Sequence, residues 1–175
     1  MSTRAVYTFH SVASPEGATD RNPISIYKHH DGYPSGALSF LLNASLYCTD
    51  EVKFTTCSYV DTNSYLDDEV EPITVASVRD QFVLGFMMSN GNGGHKYFTP
   101  SPEAHGDIEY AYNIYVEDFN KAEEPNYNPV VEIMSVYTGV SDKEHGDYRH
   151  YTLIAKDTLD KLYADLINGK DYETG

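Results

Sequence analysis

The sequence predicts a single α+β domain: a mostly antiparallel sheet with about three helices packed on one face. Three observations carry that expectation. Strand-like segments come in neighbouring runs, which antiparallel pairing joins most economically. One segment, 107–117, alternates strictly between apolar and polar residues. Three other stretches repeat apolar residues at spacings of three and four, the period of a half-buried helix.

The elements follow in order. Residues 4–12 alternate as a first strand, with Val6 and Thr8 opposite Tyr7 and Phe9. "ASPEGATDRNP" is a polar connection, and "ISIYKHH" is a second strand, paired with the first as a hairpin. Asp31-Gly32-Tyr33-Pro34 breaks that strand. From Ser35 to Tyr47 the pattern is helical, with Leu38, Leu41 and Leu42 on one side. "VKFTTCSYV" is a short strand and "DTNSYLDDEVEP" an acidic loop. A second helix fits Ile73 to Asn90, with Val75, Val78, Phe82 and Phe86 as its stripe and Asn90-Gly91 as its stop. "NGNGGHKYF" reads as a flexible turn into a short strand. In the alternating segment, Ile108, Tyr110, Tyr112, Ile114 and Val116 face one way, and Asp107, Glu109, Ala111, Asn113 and Glu117 the other. "NPVVEIMSVYTG" and "DYRHYTLIA" are two further strands joined by a turn. A last helix starts near Asp157, with Asp160 three residues on, and ends at Gly169. The domain therefore spans 1–169, and residues 170–175 form a flexible tail.

Composition narrows the function. The chain has 175 residues, enough for one domain with a core of its own. It carries 27 acidic against 12 basic residues, a net charge of −15. Nucleic-acid affinity comes mostly from Lys and Arg neutralising phosphates, so direct DNA or RNA binding is disfavoured. Anionic membrane surfaces are disfavoured for the same reason. Basic protein partners and cations fit the charge better. Sixteen Tyr and no Trp suit half-buried strands and binding surfaces. Cys48 and Cys57 make no CxxC motif and read as free, partly buried thiols. The N-terminus lacks a basic region followed by an apolar core, and no apolar run approaches 18 residues. A cytoplasmic location is expected.

Three short runs share a chemistry: His29-His30-Asp31-Gly32, His105-Gly106-Asp107 and His145-Gly146-Asp147. Each is explained at the simplest level as a turn, with Gly supplying positive φ and Asp bonding nearby amides. They become a site if two of them meet at one rim of the sheet. His30, Asp31, His105 and Asp107 would then be metal ligands, with Glu109 beside them. The same groups without a metal would serve as general acid and base. His95 and Lys96, in the Gly-rich "SNGNGGHKYF", are placed to meet an anionic ligand, although the loop has neither a Walker nor a dinucleotide spacing. Tyr27 and Tyr33 are the aromatic candidates near the turn, and Tyr115 is another surface candidate.

The motifs "IYKHHDGYPSG" and "EAHGDIEYAYNIYV" resemble a small family of uncharacterised proteins from bacteria, prophages and phages. That family's pattern is I-Y-x-H-x-D-G-Y-P-x-G, then a helix, then H-G-D-x-E-Y-x-Y. The residues assigned to the first motif are His30, Asp31, Gly32, Tyr33, Pro34 and Gly36. Those assigned to the second are His105, Gly106, Asp107, Glu109 and Tyr110. The likeness covers the first two-thirds of the chain in outline. It implies that the two motifs form one structural unit and that the setting is a mobile element.

The expected function is a small acidic binding protein that modulates a host system by engaging a host protein or a small signalling nucleotide. A homodimer is an expected assembly. Two alternatives stand beside it. One is a metal-dependent hydrolase built on His30, Asp31, His105 and Asp107, with a divalent ion as cofactor. The other is a nucleic-acid mimic, with Asp67, Asp68, Glu69, Glu71, Glu123 and Glu124 along one face.

Overall fold

A computed structural model describes residues 3–19, 22–49, 56–57, 73–74, 77–88, 96–119, 126–142 and 146–173. Six strands form one sheet in the order β5-β2-β1-β6-β7-β8. They are β1 (Ala5–Val12), β2 (Ile24–Lys28), β5 (Lys96–Thr99), β6 (Tyr110–Glu117), β7 (Val130–Asp142) and β8 (Gly146–Thr158). The short β3 (Thr56–Cys57) and β4 (Ile73–Thr74) pair separately. Every neighbouring pair in the large sheet is antiparallel except β1 and β6, which run parallel at its centre.

The helices α1 (Pro34–Thr49), α2 (Val78–Met88) and α3 (Leu159–Ile167) all cover the same face. Period-two alternation explains this. Ala5, Tyr7 and Phe9 on β1, Ile26 on β2, Tyr112, Ile114 and Val116 on β6, and Val131 and Ile133 on β7 share one side. They pack against Leu38 and Leu41, Phe82 and Phe86, and Leu159 and Leu162 of the three helices. The α+β architecture with helices on one face is therefore observed.

Four boundaries differ from the sequence reading, each for a local reason. The second helix begins at Val78, not Ile73. Ser77 Oγ accepts from the Asp80 amide at 3.0 Å, and Asp118 Oδ1 accepts from the Val78 and Arg79 amides at 2.7 and 3.1 Å. A cap from a neighbouring loop thus decides where the helix starts. The third helix begins at Leu159, because Asp157 and Thr158 still belong to β8. Its Asp160 amide is capped by Asn128 Oδ1 at 2.9 Å, so the expected capping by Asp157 gives way to a residue 32 positions earlier. Ile108 leaves the face of Tyr110 and packs with Val6 and Tyr27 on the other side. The alternation read from Asp107 onward therefore starts only at Tyr110, where pairing with β1 begins. In the tail expected to be loose, Tyr172 is buried in the helix-side core and its hydroxyl donates to Leu162 O at 3.3 Å.

Among the described residues, no helix is long and apolar enough to cross a membrane.

Candidate functional site

The two motifs do reach one rim of the sheet. Lys28, the end of β2, pairs with Ala5, and Ala5 pairs with Tyr110, the start of β6. The turn after β2 and the segment before β6 therefore flank the N-terminal end of β1. The Arg4 carbonyl accepts from the Glu109 amide at 2.8 Å, and the Thr3 carbonyl accepts from the Gly32 amide at 2.8 Å.

Backbone sterics account for the first motif almost residue by residue. Asp31 sits at φ 57°, a left-handed conformation that Asp tolerates. A Cβ on Gly32 would lie 2.6 Å from Ala5 Cβ and 2.9 Å from Thr3 O, so only glycine lets the turn lie against β1. Pro34 opens α1, where its missing N–H costs nothing. A Cβ on Gly36 would lie 2.6 Å from Asp31 O. Tyr112, reaching across the core face, donates its hydroxyl proton to Gly32 O. The positive φ assigned to glycine in these runs belongs instead to Asp31, and Gly106 has ordinary backbone geometry.

Side-chain contacts, not sterics, place the second motif. The chain from Ser101 to Ile108 folds over the sheet face opposite the helices, through a single 3-10 turn at Pro102–Ala104. His105 stacks on Tyr27, with ring centroids 4.1 Å apart and 19° between planes. Its Nε2 pairs with Thr99 Oγ1 at 2.9 Å. Arg149 on β8 clamps the segment by donating to Pro102 O at 2.6 Å and to His105 O. Asp107 Oδ2 lies 3.0 Å from Arg4 Nε, off the line of a straight hydrogen bond, and 3.3 Å from the Tyr27 hydroxyl. Burial and the Asp107 charge push the Tyr27 phenol up to about 12. Tyr27 stays protonated at neutral pH and gives its one proton to Asp107. His29 Nδ1, 3.0 Å from the same oxygen, is then the donor to Tyr27.

The sequence assigned the motif histidine to His30, but the spacing I-Y-x-H falls on His29, and His29 is the one that meets Tyr27. His30 stands edge-on to His29, with centroids 4.6 Å apart. Tyr33 is exposed beside the turn, and Glu109 is exposed at the start of β6. His95 lies outside the described residues, as do His145, Asp67, Asp68, Glu69, Glu71, Glu123 and Glu124.

The proposed ligand set His30, Asp31, His105 and Asp107 does not assemble. Among the described residues, no group of three or more His, Cys, Asp or Glu is placed to hold a metal ion. The two acids act on different groups. Asp107 meets Arg4 and Tyr27 on the open side. The charge of Asp31 instead acts on Tyr7 and Lys28, which belong to the helix-covered side. His105 is further committed to Thr99 and to the Tyr27 ring.

Lys96, expected on a flexible loop beside an anionic ligand, is buried at the start of β5 and donates to Phe86 O at 2.7 Å. Sequence reading also missed Lys28, although the alternation of "ISIYK" places it on the same side as Ile24 and Ile26.

The open face carries a second feature that the motifs did not announce. A groove of about 370 Å³ runs between the 3-10 turn and β7–β8, lined by Thr8, Pro102, Glu103, Asn113, Met134 and Tyr151. Beside it the β7–β8 hairpin outruns its neighbour, because β6 pairs with β7 only as far as Ser135. Leu153 and Tyr151 are 55% and 37% exposed there, on the side of Met134 and Val136, while the 65% exposed Tyr137 falls on the helix-covered side of the hairpin. The outer edge of β8 pairs with no strand among the described residues.

The sequence matches no protein-family model, no curated protein and no solved structure.

Proposed function

We propose that this chain is a non-enzymatic binding protein of a phage or mobile element, which modulates a host system by docking a host protein on its β7–β8 hairpin. The observation that carries this reading is the pair of exposed Tyr151 and Leu153 on the open face of a hairpin whose outer strand pairs with no other among the described residues. Exposed aromatic and aliphatic groups beside unpaired backbone donors and acceptors suit an added strand from a partner. The net charge of −15 favours a basic partner and speeds its approach. The mobile-element setting rests on the motif resemblance. The hydrolase alternative needed four ligands around one ion, and the described residues hold no such group.

Native mass spectrometry of the protein purified gently from its own host tests the reading, alongside a Tyr151→Ser/Leu153→Glu variant. A stoichiometric host protein on the wild type, lost from the folded variant, is the expected result. A partner retained by the variant would remove the hairpin from the interface. A bound divalent ion with no protein partner would return the argument to hydrolysis.

A further inference from the structure

The lysines under the helices are already committed. Lys28 and Lys96 are buried, burial pushes both amines down to about 8, and they donate to His30 O and Phe86 O. On the open face most charges are matched as well. Arg4 meets Asp107 at 3.0 Å, and Lys156 meets Glu132 at 3.9 Å. Glu103, on the 3-10 turn, is different. It accepts from the Tyr151 hydroxyl at 3.2 Å, and it makes no ion pair among the described residues. It is exposed and lines the groove, so its carboxylate marks the groove's water-facing side.

Register explains why a groove is there. Val6, Ala111 and Met134 are neighbours across β1, β6 and β7, and the middle one contributes a single methyl. The floor is therefore low at Ala111, with Met134 and Pro102 among the walls. Arg149 fixes the turn by donating to Pro102 O at 2.6 Å and to His105 O, so that wall stands before any ligand arrives. The volume of about 370 Å³ lies at the small end of the range for ligand sites, about 300–1,000 Å³. It suits one long side chain, not a whole element of structure.

A largely apolar channel with a carboxylate on its exposed side matches a long-stemmed cation. Lys and Arg lay their methylenes on apolar surface and keep the charged head at the water. An acidic occupant would face Glu103, and an apolar one would strip water from that carboxylate without replacing it. Arginine fits better than lysine. Its planar guanidinium stacks on an aromatic ring such as that of Tyr151, and pairs with a carboxylate through two N–H groups. Arg149 adds a positive charge nearby, but it donates to the two carbonyls and, at 3.4 Å, to the Tyr151 hydroxyl. The net charge of −15 draws the same kind of partner.

We propose that this groove receives an arginine side chain of the host protein that docks on the hairpin. Its stem lies on Ala111 and Met134, and its guanidinium meets Glu103 beside the Tyr151 ring. This rests on the docking reading for its partner, and on the groove for the residue that the partner presents.

The test is NMR of the whole chain carrying ¹³C in its methionine methyl groups. The Met134 signal is identified by its loss in Met134→Leu. Four blocked pentapeptides, Thr-Val-X-Val-Thr with X as Arg, Lys, citrulline or Glu, are titrated in turn. The Arg peptide should shift the Met134 signal to saturation. Lys should bind several-fold more weakly, citrulline, the uncharged isostere of Arg, about tenfold more weakly, and Glu not at all. Glu103→Gln keeps an acceptor for Tyr151 and removes only the charge. It should bring the Arg peptide down to the citrulline level, with the melting temperature unchanged. Equal affinity for Arg and citrulline, an Arg affinity that survives Glu103→Gln, or a Met134 signal that no peptide moves would each overturn the site. Native mass spectra separate the groove from the docking. A host protein lost from Tyr151→Ser/Leu153→Glu but kept in full by Glu103→Gln leaves the docking and removes the arginine. A Met134 response to the Arg peptide, with no host protein bound, keeps the groove and removes the docking.

Discussion

The two motif segments at the rim make an instructive pair. Both are rich in His, Asp and Gly, and both flank the start of β1. The Asp31-Gly32 turn is held by backbone contacts that exclude other residues, as Gly32 lies where a Cβ would strike Ala5. The His105–Asp107 segment is held by side chains that stack, pair and clamp, and a Cβ on Gly106 would meet nothing within 4 Å. Similar-looking residues thus serve different physics. In the first, the catalytic-looking letters mostly shape the chain. In the second, they attach a loop to a sheet face.

Substitutions sharpen this contrast, beginning with the largest effect. Gly32→Ala should destabilise the fold by about 3 kcal/mol, since the new methyl meets β1 and cannot turn away. Urea unfolding checks it, and a loss under 1 kcal/mol would show that the turn yields easily.

The pH dependence comes next. A lysine whose folded value is lowered leaves the unfolded chain holding more protons between about 8 and 10.5. Stability therefore rises with pH across that window, by at most about 1.4 kcal/mol per pH unit for each lysine. Tyr27 has the opposite sign. Its raised value, about 12, means that the folded state keeps a proton the unfolded state loses above 10. Its share of stability falls from there upward. Melting temperatures should climb from pH 8, peak between about 10 and 10.5, and then drop. A flat profile from pH 8 to 9.5 would contradict the buried lysine pair.

On the open side the effects are smaller. His105→Ala removes the Tyr27 stack and the Thr99 bond, and should cost about 1 kcal/mol. Protease nicking between Pro102 and Ile108 should also quicken, because that segment loses an anchor. Gly106→Ala should stay within about 0.5 kcal/mol of the parent. A large loss there would mean that the second motif, like the first, is set by backbone geometry.

Much of the fold was legible before any coordinates. Leu38 and Leu41, and Phe82 and Phe86, declared two helical stripes, and all four are core residues. The alternation of Tyr110 to Glu117 declared β6. Ile108 was misread because a period of two says nothing about where a chain crosses from one face to the other. The start of α2 was misplaced because its cap, Asp118, lies 40 residues away. The candidate site was half legible. Both motifs were found, and they do reach one rim. Their side chains were expected to converge, and among the described residues they form no group that could hold a metal ion.

The amino-acid order alone therefore determined local periods, the charge balance and the turn chemistry, because each depends on near neighbours or on simple sums. Only the tertiary structure decided which faces meet. Lys28 and Lys96 lie 68 residues apart in the chain, yet the β2–β5 register makes them opposite neighbours. Tyr27 and Asp107 meet across 80 residues for the same kind of reason. Strand order and register arise from the whole core packing at once, and no short stretch of sequence encodes them.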